Sequence, residues 1–199
     1  MRLISSHLGG SSSICAIRAG RSVANSFGFS AQSGLPHNNR VGDFDPYALL
    51  ALKRATGKPI KKLLAELADH GGLEGLSGRG RDQREIEQAA AAGDANAQLA
   101  IDVFVSAVRH YVGAYLVELG GADAIAFTGG IGENSSRIRA AVCRDMAWCG
   151  VELDGKRNQS ASGEAVVSSE SSRVAVWILP TNEELVVARQ TAEVLSSQA

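Results

Sequence analysis

The 199 residues carry 20 Lys and Arg against 21 Asp and Glu, for a formal net charge of −1, and 45% of them are hydrophobic. Such a chain is long enough to bury a real core, and its composition excludes a disordered tail, a membrane-spanning bundle and an electrostatic binder of nucleic acid or of an anionic membrane. Cys15, Cys143 and Cys149 have no metal-binding spacing and form no even disulfide framework. Residues 1–6 lack the apolar stretch of a signal peptide, and no apolar run approaches the roughly 20 residues of a membrane span, so the expected setting is the cytoplasm.

Residues 3–6, 14–17 and 21–26 are short apolar runs separated by the Gly/Ser stretch 9–13 and by Arg18-Ala19-Gly20. They predict an antiparallel meander. A strand placed at the initiator Met gives the expectation that a preceding half of the architecture is absent. Residues 27–45 predict a long loop of the length usually kept for function. Asp45-Pro46 reads as an N-cap followed by Pro at the first helical position, opening a helix over 46–56; Pro59 opens a second, which ends at Gly71-Gly72. Residues 71–80 are a glycine-rich stretch, and 83–92 predict a short helix.

The longest periodic segment is 95–119, where Leu99, Val103, Ala107, Val108, Val112, Tyr115 and Leu116 recur at three- and four-residue steps. It predicts a central helix about 37 Å long, lying across a sheet. Residues 124–127 predict a strand, 128–134 a glycine loop, and 135–149 a helix with Ile138, Val142 and Met146 on one face. Strands over 165–167 and 174–179 follow, the second reading as fully buried, and then a last helix over 183–195. No repeat, linker or low-complexity tract divides residues 1–199, which predicts one domain.

Several segments could carry chemistry. Gly129, Gly130 and Gly132 let backbone approach a ligand, with a helix start behind them that favours anions, although three such glycines also suit a plain tight turn. His7, Leu8, Gly9, Gly10 and Ser11 lead a Gly/Ser tip that suits either a phosphate or an ordinary hairpin, and without Lys or a following helix it is no Walker loop. Arg40, in the long loop, is placed to clamp a phosphoryl group or to sit on the surface. Asp43 and Asp45 are metal-ligand candidates, with capping favoured for Asp45. Glu183 and Glu184 open a helix, where a carboxylate is explained by the dipole or by magnesium. Asp82 and Arg84 either flank a ribose or base, or cap a helix. His70 and His110 read as ordinary helical residues.

The order and spacing of these pieces resemble the acetate kinase family. The matching pieces are HLG at His7, the Arg-x-Gly-Asp-x-Asp-Pro run from Arg40 to Pro46, Asp82-Gln83-Arg84, FTGGIGEN from Phe127 to Asn134, and PTNEEL from Pro180 to Leu185. The resemblance implies an α/β fold of the actin/hexokinase/Hsp70 (ribonuclease H-like) type, an antiparallel meander plus parallel strands with flanking helices. It also implies ATP- and magnesium-dependent (or manganese-dependent) phosphoryl transfer to a short-chain carboxylate such as acetate, with ADP as product, and a homodimer. By position, it assigns His7, Leu8, Gly9, Gly10 and Ser11 to the phosphate side. Asp82, Gln83 and Arg84 fall to adenosine, and Gly130, Ile131, Gly132, Glu133 and Asn134 to a second nucleotide loop. Arg40 takes the transition state and Glu183 the metal.

The chain departs from the family pattern where Gly10-Ser11 replaces Asn-Gly, where His37-Asn38-Asn39 replaces Met-Gly-Thr, and where Gln83 replaces an aromatic beside the adenine. Family members are about twice as long. The expectation is therefore a C-terminal nucleotide-binding half without the groups that hold the carboxylate, inactive by itself because phosphoryl transfer needs both walls of a cleft. A non-catalytic nucleotide-binding or dimerisation module, or a decayed fragment, are the competing expectations.

Overall fold

A computed structural model describes residues 1–197. Strands β1 (Arg2–His7), β2 (Ser13–Arg18) and β3 (Arg21–Asn25) form the expected meander, with Arg18 opposite Arg21 across a two-residue turn. Ala19 (φ 50°) and Gly20 (φ 77°) are both left-handed there, the conformation whose twist suits a two-residue hairpin. A long irregular segment then leads to helices α1 (Ala48–Thr56), α2 (Ile60–Asp69), α3 (Gly72–Ser77), α4 (Gln83–Ala91) and α5 (Ala95–Leu119).

The chain re-enters the sheet at β4 (Ala124–Thr128) and passes directly into α6 (Gly129–Asn134) and α7 (Ser136–Cys143). A 3-10 turn (Ala147–Cys149), α8 (Gly155–Ser160), β5 (Ala165–Val166), β6 (Ala175–Ile178) and α9 (Glu183–Ser197) complete the order. The mixed sheet runs β3-β2-β1-β4-β6-β5, with β1, β4 and β6 parallel and the outer pairs antiparallel. Parallel strands β1 and β4 place their C-terminal ends side by side, at the edge where open α/β sheets bind ligands.

Helix α5 is capped by Asp94, whose carboxylate accepts from the N–H groups of Asn96 and Ala97, and it ends at the left-handed Gly120. It has the length and apolarity of a membrane span, contrary to expectation. Its face bearing Ala100, Phe104, Val108 and Val112 is fully buried, however, and packs against the sheet and α3, α4 and α7 as the core helix.

The structure also corrects local expectations. The fully buried strand is β4, whose five residues are all inside; β6 instead alternates, with Val176 and Ile178 buried and Ala175 and Trp177 half-buried. Residues 72–77, within the glycine-rich stretch, and 155–160 form short helices that the periodicity did not predict. The glycine run 129–132 is itself helical, and the helix after Ser135 stops at Cys143, because Arg144 is extended and Asp145 takes φ 60°. Asp45 does not cap α1: its carboxylate turns the chain one step earlier, accepting from Tyr47 N–H at 2.9 Å. Asp43 is engaged structurally, accepting from Gly34 N–H at 2.7 Å and from the Tyr111 hydroxyl.

Candidate functional site

The tip of the first hairpin is fastened to the start of α6. Leu8, fully buried, donates its N–H to the Thr128 carbonyl at 2.8 Å, and its own carbonyl accepts from Ile131 and Gly132 N–H at 2.8 and 3.0 Å. Gly129 must be glycine: its φ is 77°, and a Cβ would stand 2.7 Å from the Leu8 carbonyl oxygen. A Cβ on Gly9 would lie 3.7 Å from Gly130 N, so the two backbones are nearly in contact. His7 pairs with Thr128 Oγ1 through Nδ1 at 2.9 Å.

A cavity of about 800 Å³ opens beside this junction. Gly9, Gly10, Gly130, Ile131 and Asn134 line one side, and Arg81, Asp82, Gln83, Arg84 and Glu87 the other, with Asn38 and Ser135 between them. Asn38 bridges the two sides: its N–H meets the Gly10 carbonyl at 3.4 Å, and its Nδ2 donates to the Arg81 carbonyl at 2.6 Å. Asp82 caps α4 through Arg84 N–H and forms an ion pair with the Arg84 guanidinium at 2.6 Å. That hydrogen-bonded charge holds the Asp82 carboxyl below the usual carboxylate range.

The loop over 37–40 lies against the same hairpin tip. His37, fully buried, accepts from Ser12 N–H at its Nδ1 (2.8 Å), and Arg40 donates to Ser11 Oγ at 3.3 Å and to the Ala31 carbonyl at 3.2 Å. Gly72 permits this arrangement. At φ 58° it stands so close to the His37 and Arg40 carbonyls that a Cβ would meet them at 2.1 and 2.5 Å.

Arg139 of α7 clamps α6 from behind. It is 1% exposed and donates to the Gly132 and Glu133 carbonyls, both at 2.9 Å, and to Asn158 Oδ1 and O, both at 2.8 Å. A cation at the last carbonyls of a helix complements the dipole, although burial draws the guanidinium pKa down. Glu133 accepts from Gly129 N–H, Thr181 N–H and Thr181 Oγ1, so its carboxylate ties the segment before α9 to the glycine turn.

Of the sequence candidates, Gly9, Gly10, Asp82, Gln83, Arg84, Gly130, Ile131 and Asn134 therefore line one cavity. Ser11 and Arg40 meet each other beside it, whereas Leu8, Gly132 and Glu133 support it from behind. The N–H groups of Gly129, Ile131 and Gly132 are consumed inside the protein, so they are not the open helix start that the glycine pattern suggested. The side chain of Glu183 lies outside the described residues. Sequence reasoning gave no site role to Arg81, Glu87, Ser135 or Arg139. The last had a signal, since Arg139 falls three and four residues before the buried Val142 and Cys143, on the inward face of its helix.

The profile described as the Acetokinase family matches residues 1–189. The propionate kinase of Citrobacter rodentium is 42% identical over 194 residues, covering 98% of this chain and 48% of that protein. The acetate kinase of Shouchella clausii is 39% identical, covering 98% and 50%. Among solved structures, Porphyromonas gingivalis acetate kinase superposes with a TM-score of 0.92 at 38% identity, over 98% of this chain and 49% of that one. Entamoeba histolytica acetate kinase gives 0.89 at 32%, over 96% and 51%. The chain spans about half the length of the relatives it matches. With its mixed sheet and flanking helices it has the actin/hexokinase-like ATPase fold, and it belongs to the acetokinase family.

Proposed function

We propose that this chain forms the nucleotide-binding wall of an ATP-dependent kinase acting on a short-chain carboxylate, converting acetate or propionate and ATP to the acyl phosphate and ADP. The observation that supports it is the convergence of four separated segments, at 9–10, 38, 81–87 and 130–135, on one cavity at the C-terminal ends of parallel strands. Names of the relatives supply the reaction class. An 800 Å³ cavity is of the size that takes a nucleotide.

In this reading Asp82 and Arg84 orient the ribose and base, and the hairpin tip around Gly10 faces the phosphates. Arg40, anchored on Ser11, places positive charge beside the transferring group, where stabilisation of developing charge lowers the barrier. Among the described residues no cluster of three or more His, Cys, Asp or Glu side chains is placed to hold a metal. Magnesium would take ligands from the nucleotide phosphates, and Glu183 is the residue that the family resemblance assigns to it. When bound, it offsets phosphate charge.

Titration of the purified chain with ADP and magnesium in a calorimeter tests the binding role, and saturable one-to-one binding is expected. A parallel assay with ATP and acetate is expected to show no steady acyl phosphate formation, because one wall of the cleft does not position both reactants. No nucleotide binding would overturn the proposal. Turnover at the rate of a full-length relative would overturn only the one-wall part.

A further inference from the structure

Gln83 is 7% exposed and lines the nucleotide cavity, and its amide is set by its neighbours. Its Nε2 donates to Glu87 Oε1 at 3.2 Å, and the same oxygen accepts from Ser135 Oγ at 2.7 Å. An ionised carboxylate only accepts, so the atom of Gln83 facing Glu87 is its nitrogen, and the orientation of the amide follows. Ser135 is itself held as the N-cap of α7, accepting from Ile138 N–H at 3.1 Å. This relay leaves Gln83 Oε1 buried with no donor among the described residues. Asn38 repeats the pattern on the same cavity: its Nδ2 is committed to the Arg81 carbonyl, and its Oδ1 has no donor among the described residues.

A buried acceptor left unpaired loses its hydration without compensation. Two of them on one cavity indicate a ligand that brings donors. A nucleotide base does so selectively, since the only donor on the base edge of adenine is its 6-amino group, whereas a 6-oxo purine sets an acceptor in that place.

Resting on the nucleotide-binding reading above, we infer that Gln83 selects the base: its amide oxygen accepts a hydrogen bond from the 6-amino group of adenine. This chain thus carries an oriented acceptor at Gln83.

Binding of three diphosphates to the intact chain, each with magnesium, tests this: ADP, purine riboside 5′-diphosphate (which lacks the 6-amino group) and inosine 5′-diphosphate (which is 6-oxo). One neutral hydrogen bond corresponds to a preference of roughly 3- to 10-fold for ADP over purine riboside diphosphate, with inosine diphosphate no tighter than the latter. In Gln83→Leu, ADP and purine riboside diphosphate are expected to bind alike. Equal affinity of the wild type for the two, or a preference that survives in Gln83→Leu, overturns the inference while leaving nucleotide binding intact. Failure of all three to bind the wild type sinks the nucleotide reading and this one with it. The wild-type comparison stands even if the variant does not fold.

Discussion

His37 shows how much a single side chain sets at this site. It is wholly buried, stacked 5.9 Å from the Phe27 ring, and it must keep Nδ1 unprotonated to accept from Ser12 N–H. Burial, and then the Arg40 charge, lower its pKa from 6.5 to about 4. Unfolding returns the ring to water, so over the interval from 6.5 down to 4 the unfolded chain takes up a proton that the folded chain refuses. The stability contributed is complete above pH 6.5 and is lost as the pH falls toward 4. By linkage this amounts to about 2 kcal/mol between pH 7 and pH 5. His37→Asn retains an acceptor for Ser12 but does not titrate. Urea unfolding at the two pH values is therefore expected to show a loss in the wild type about 2 kcal/mol larger than in His37→Asn, and equal losses would refute the assignment.

Arg139 works at the same scale by a different means. Among the described residues no carboxylate partners its guanidinium, whose N–H groups are met by the uncharged oxygens of Gly132, Glu133 and Asn158. Arg139→Met leaves those oxygens buried without donors and is expected to cost roughly 3 kcal/mol, with Arg139→Lys intermediate because an ammonium cannot reach all of them at once. Thermal unfolding of the two variants measures this, and a loss below about 1 kcal/mol in Arg139→Met would show that α6 does not depend on the clamp.

Among the secondary-structure elements, what the sequence made legible was whatever local rules determine. The β2–β3 hairpin has its turn at Arg18-Ala19-Gly20, and α5 has 25 residues whose apolar positions recur, so both were found with nearly their observed limits. The short helices α3, α6 and α8 were not legible. A helix of six residues is unstable alone, and each of these depends on partners distant in sequence. In α3 the partner is the core around Leu73, in α6 it is Arg139 together with the Leu8 carbonyl, and in α8 it is the network around Asn158. The candidate site divides in the same way. Gly9, Gly130 and Asp82 stood out as glycine turns and a cap, whereas Asn38, Glu87 and Ser135 reach the cavity through tertiary contacts that no local spacing encodes. Arg40 was visible as a residue, but its anchoring on Ser11 was not.

For the molecule as a whole, the outlying element is α9. Its described side chains are all exposed, among them Leu185, Val186, Val187, Val194 and Leu195, the last at 63%. Burial of apolar surface is the main stabilising force in a fold, so a helix that fully buries none of these side chains adds little to the stability of the rest. The connection that matters, Thr181 to Glu133, precedes it. Truncation after Asn182 is therefore expected to change stability by less than about 1 kcal/mol, which in a chain of this size shifts the thermal midpoint by only about 2–4 °C. The same truncation removes a run of exposed valines and leucines of the kind that promotes association, so binding of an apolar-surface dye should fall. A midpoint lowered by roughly 10 °C would mean that α9 packs on the body of the chain in solution and shares its core.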